Sequence, residues 1–128
     1  MPIVTAAPLA EAAIPDPDYA DAYSVDVPPG ATTDPAAWTR AIFGRSAFPE
    51  RAVSDTEHLT GQAMPMLDFV ASVRVVDGRV TLTTLVRYRN RLGRVYFTIV
   101  GIAHRRLVPR MMARAERRMR DARRRDGS

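Results

Sequence analysis

The 128-residue sequence has no cysteine and no lysine. Without cysteine it can form no disulfide, no zinc–thiolate site and no thiol nucleophile. A chain of this length buries about two-thirds of its unfolded surface, so it needs no such staple to fold. No apolar run approaches the ~20 residues of a bilayer-spanning helix. Residues 1–14 are alanine-rich but hold no basic side chain, and Pro8 and Glu11 interrupt the apolar stretch that a secretory signal requires. A single domain in the cytoplasm is the expectation. Imidazole is scarce as well. His58 and His104 are the only histidines, and their separation fits no His-x-x-x-His pair, so neither a metal nor another cofactor is implied. No serine lies in a nucleophile elbow, and Gly93 stands outside any phosphate-binding loop. No residue is assigned a catalytic role.

Arginine is abundant and unevenly placed. All 19 basic residues are arginine. Residues 1–73 carry three of them against ten acids, net −7, whereas residues 74–128 carry sixteen against four acids, net +12. Such a split fits a basic tail for a partner or two halves that attract each other.

Nine of the ten prolines precede residue 66, which makes the first half rich in loops. Residues 1–17 read as an arm with one short helix over Leu9–Ile14, and residues 18–90 as a sheet with one further helix. Tyr19, Asp21, Tyr23, Val25 and Val27 alternate with small or polar residues and predict a strand over 20–27. Asp34-Pro35 is a helix start, because Asp accepts from the first free amides and Pro is tolerated at the first helical position. Trp38, Ala41 and Ile42 share a face of this helix, 35–43, and Gly44 caps it. Residues 45–57 read as loop, and a strand over 58–63 precedes Met64-Pro65.

The sharpest local pattern is a hairpin. Leu67, Phe69, Ala71, Val73 and Val75 alternate with Asp68, Val70, Ser72 and Arg74. Asp77-Gly78 follows, a dipeptide suited to a type I′ turn. Val80, Leu82, Thr84, Val86 and Tyr88 then line the return strand. A two-residue turn sets Val75 opposite Val80 and Asp68 opposite Arg87. Beyond Asn90, a helix N-cap, the period changes to 3.6. Leu92, Tyr96, Ile99, Ala103, Leu107, Met111, Ala115 and Met119, widened by Val95, Val108, Met112 and Ala122, form the expected buried stripe of a helix over 91–125, which Pro109 is expected to kink or divide. Trp38, Phe69, Leu82, Val86, Tyr96 and Ile99 are the expected core. The fold class is α+β, an antiparallel sheet packed on a long C-terminal helix.

Residues 81–115 contain the series Asn90, Leu92, Gly93, Arg94 and Tyr96, with His104 and Arg105 downstream. On this series the chain resembles an uncharacterised bacterial family, domain of unknown function 2867. MLDFVASV (66–73) resembles that family's preceding strand, with Met66 and Val70 where His and Arg are usual, and DYADAYSVDV (18–27) resembles its first strand. The resemblance implies a reduced helix-grip (START-like) layout, in which a sheet wraps a long helix and can enclose an apolar ligand. It implies no activity.

Asp68, Arg87, Arg94, Tyr96 and His104 are therefore the candidate ligand-binding residues, each with a plainer reading. Asp68 and Arg87 could orient a polar ligand group or form an exposed ion pair. Arg94, unfavourably placed in the first turn of a helix, could hold an anion or bridge to an acid. His104 could line the site or simply edge the core. The function expected is non-catalytic binding of a small apolar molecule or a protein. The competing reading uses Arg114, Arg117, Arg118, Arg120, Arg123 and Arg124 to bind an anionic membrane surface or nucleic acid.

Overall fold

The structure, a computed structural model, describes residues 7–44 and 48–127, with side chains described up to residue 122. Its elements in chain order are α1 (Pro8–Ala13), β1 (Tyr19–Asp26), α2 (Pro35–Phe43), β2 (Glu50–Val53), β3 (Glu57–Ala63), β4 (Leu67–Val76), β5 (Arg79–Tyr88) and α3 (Arg91–Gly127). The strands form one antiparallel sheet in the order β1-β5-β4-β3-β2. The chain is thus α+β, with a five-stranded sheet packed against a long C-terminal helix.

The hairpin has the register that its turn demands. Val75 faces Val80 and Asp68 faces Arg87. Asp77 and Gly78 hold φ of 53° and 76°, the left-handed pair of a type I′ turn. α2 begins where Asp34 accepts from the Ala36 amide at 3.2 Å. The segment expected as loop contains β2, which pairs with β3 through an irregular register at its start; residues 45–47 of that segment lie outside the described residues.

Strand alternation gives the sheet two covered faces. On one, Ala71, Val73, Val75, Val80 and Leu82 pack with Trp38 and Ile42 of α2 and with Val108, Met112 and Ala115 of α3. On the other, Leu59, Val70 and Leu85 are covered by Ala10 and Ile14 of the α1 segment. Glu57 joins this second layer to the sheet and is fully buried. Its carboxylate accepts from the amides of Leu9 and Ala10 at 2.9 and 3.1 Å and from the Ser72 hydroxyl at 2.6 Å. An anion at the free amides of a helix start is favoured by both hydrogen bonding and the peptide dipoles.

α3 continues through Pro109 as one helix of 37 residues. Asn90 Oδ1 accepts from the Gly93 amide at 3.1 Å, which is the expected N-cap. Over the first half of the helix, however, the buried stripe is turned from the expected one, whereas Val108, Met112 and Ala115 in the second half are buried as expected. Gly93, Phe97, Gly101, Val108, Met112 and Ala115 face inward. Phe97 is 8% exposed, while Ile99 is 69% exposed and Tyr96 42%. The cause is steric and lies at the helix start. A β-carbon on Gly93 would overlap the Met66 carbonyl oxygen, so this is the side on which the helix can approach β4 closely. Of the expected core, Trp38, Leu82 and Val86 are buried, Phe69 is half-buried, and Tyr96 and Ile99 are not in it.

Candidate functional site

Packing between sheet and α3 is incomplete where the first half of the helix crosses β4 and β5. A cavity of about 380 Å³ remains there, within the range of roughly 300–1,000 Å³ typical of small-molecule sites. Phe69 and Ala71 of β4 and Thr84 and Val86 of β5 form its sheet wall. Tyr96, Phe97, Val100, His104, Leu107, Val108 and Met111 form its helix wall, and Phe43, Phe48, Gln62 and Met64 close the sides. Phe48, Tyr96 and Leu107 are exposed as well as lining, so the cavity opens to the outside past them. Phe48 meets the Phe69 ring edge-on at 4.7 Å between centroids, an aromatic contact at this rim.

His104 brings an imidazole to this wall. Its Nε2 stands 3.2 Å from Asp21 Oδ2, an ion-pair distance without hydrogen-bond alignment. Asp21 lies on β1 opposite Thr84, on the sheet face that α3 covers. Tyr19, two residues earlier on that face, donates its hydroxyl to Asp21 Oδ2. Burial, reinforced by the Asp21 carboxylate, pushes the Tyr19 phenol well above its ordinary range, so it stays a donor. Burial and then Asp21 raise Tyr23 in the same direction. Asp21 Oδ1 and His104 Nε2 are both buried without a hydrogen-bond partner among the described residues. Buried polar atoms are nearly always paired; His104 lines the cavity, whereas Asp21 stands behind it and is not part of the lining.

Two of the five residues expected to bind a ligand, Tyr96 and His104, thus come together on the cavity wall. The others lie elsewhere. Asp68 faces the opposite side of the sheet, and its carboxylate holds Arg89, at 2.7 and 3.0 Å, not Arg87. The Arg87 side chain is exposed, so the pairing expected across the hairpin exists in the backbone register alone. Arg94 stacks over the Tyr88 ring at 5.6 Å and lines a shallow recess with Asp18 and Arg91. Asp21 was not among the candidates, although an acid inside an otherwise apolar strand face was a usable signal. Glu57 and His58 are each engaged on opposite faces of β3. His58 bonds Thr39 and Glu50, both at 2.8 Å.

The two oppositely charged halves meet sparingly. Among the described residues, Arg79–Asp26 and Arg89–Asp68 are the arginine ion pairs between them, and Arg120 pairs with Glu116 inside α3. The side chains of Arg123 and Arg124 lie outside the described residues. Among the described residues, no helix is long and apolar enough to cross a membrane.

Compared with known proteins, residues 45–111 match the family model described as "Protein of unknown function (DUF2867)". The match covers just over half of the chain, from the end of α2 to the middle of α3, and so includes most of the cavity wall. No curated protein and no solved structure matches the chain.

Proposed function

The chain belongs to the DUF2867 family, a family of unknown function, and we propose that it binds, without catalysis, a small apolar molecule bearing one polar end. The observation that carries this reading is the cavity between sheet and α3, whose wall is apolar except near His104, Gln62 and Thr84. The apolar body of the ligand lies against Phe69, Ala71, Val86 and Phe97. Its polar end meets His104, behind which stands Asp21. A hydroxyl suits that position, because it can either donate to or accept from the imidazole as the tautomer requires. The helix-grip layout implied by the family resemblance belongs to the same proposal, since such a layout places a ligand between sheet and helix.

The reading is tested by titrating the chain with an uncharged fluorescent naphthylamine probe. Saturable one-to-one binding is expected. Ala71→Leu extends a side chain from the sheet into the cavity and is expected to weaken binding by at least about tenfold, with the thermal midpoint measured alongside to confirm folding. Undiminished affinity in a folded Ala71→Leu chain would remove the cavity as the site.

A further inference from the structure

The turned register of α3 leaves a second apolar stripe on its outer side. Leu92, Val95, Tyr96, Ile99, Ile102 and Leu107 are between 42 and 70% exposed. They gather on one side of the helix and run for about 22 Å along it at 1.5 Å per residue. The first half of α3 is therefore apolar on both sides, a pattern expected of a helix covered all round. Along the same outer side the stripe passes into Arg106, Arg110, Arg114 and Arg117, which are exposed. These four have no ion-pair partner among the described residues. Residues 91–115 hold six arginines and no acid.

We propose that this face docks on an anionic lipid bilayer, with the stripe seated at the boundary between headgroups and acyl chains and the arginines on lipid phosphates and carboxylates. Charge selects this occupant over a second copy. An antiparallel copy centred on Ile99 would bring Arg106 and Arg110 towards Arg91 of the other chain, and a parallel copy would lay Arg110 against Arg110. Both are like-charge contacts, whereas an anionic surface satisfies every arginine at once. Nucleic acid would use the arginines but leave the apolar stripe without a partner. An interfacial helix uses both, and Tyr96 supplies the amphipathic ring that favours the headgroup level. Tyr96 and Leu107 belong to the stripe and to the cavity rim alike, so docking brings the cavity mouth to the lipid.

The test is sedimentation of the full chain with phosphatidylcholine vesicles, with and without phosphatidylserine. Binding is expected only with phosphatidylserine, and it weakens as salt rises. Replacing Arg110, Arg114 and Arg117 by glutamine is expected to weaken it by roughly a hundredfold, about fivefold for each charge near the surface. Ile99→Glu is expected to abolish it without lowering the thermal midpoint. Ala71→Leu, which fills the cavity, is expected to dock as the parent does, which keeps this proposal separable from ligand binding. Failure to sediment with phosphatidylserine vesicles would overturn the proposal. So would a lipid-free dimer broken by Ile99→Glu, which would give the face to a second copy. Duplex DNA binding unaffected by Ile99→Glu, in place of vesicle binding, would give it to nucleic acid.

Discussion

Truncating Phe97 to alanine is expected to destabilise the chain by about 3 kcal/mol, near the low end for a buried aromatic, because part of its surroundings is already open cavity. Ile99→Ala is expected to cost less than about 0.5 kcal/mol, as for a surface change. The contrast comes from the rotation of α3. Phe97 packs near Tyr19, with ring centroids 4.7 Å apart, and in the cluster with Leu67 and Val86. Ile99 lies outside the buried clusters and is mostly exposed. Urea unfolding of both variants measures the difference directly. Equal losses would mean that the helix does not present the Phe97 side to the sheet.

Removing the Glu57 carboxylate is expected to have a comparable effect by a different route. In Glu57→Ala the amides of Leu9 and Ala10 and the Ser72 hydroxyl lose their acceptor. Orphaned buried donors cost about 1–3 kcal/mol each, offset in part because a charge no longer has to be buried. A net loss of about 2–4 kcal/mol follows. Glu57→Gln retains one acceptor oxygen and is expected to lose roughly half as much. Hydrogen exchange adds a signature that general weakening lacks, because amides of α1 should lose protection before those of β4 and β5. An Ala variant as stable as the parent would show that α1 is held by its apolar contacts alone.

The hairpin was legible in the sequence because two independent signals agreed. The Asp77-Gly78 turn and the alternation of Leu67–Val75 with Val80–Tyr88 specify one register, and a slip of one residue would expose the whole apolar face. α2 was legible through Asp34-Pro35 for a similar reason. The phase of α3 was not. Both sides of its first half carry large apolar residues, and the buried side includes Gly93, Gly101 and His104, which hydrophobicity alone ranks low. What decides the phase is the close approach of Gly93 to Met66, a contact between residues far apart in sequence. The Asp68–Arg87 pair failed because register fixes Cα partners but not which of two nearby guanidiniums a carboxylate takes; Arg89 reaches it instead. Tyr96 and His104 are legible through the family resemblance. Asp21 escaped notice because its partner His104 lies on a different element, over eighty residues away. The second covered face of the sheet was equally hidden, since Glu57 in a segment read as loop does not announce that it caps α1.

An apolar molecule bound as proposed enters the space between sheet and α3. The most direct measurement is methyl NMR of the full chain during titration with the naphthylamine probe. Binding in the cavity shifts the methyls of Ala71, Val86, Val108 and Met111 and gives probe-to-methyl distance contacts there, while Leu92, Ile99 and Ile102 stay in place. Contacts confined to Leu92, Ile99 and Ile102, with the cavity methyls unmoved, would contradict the claim.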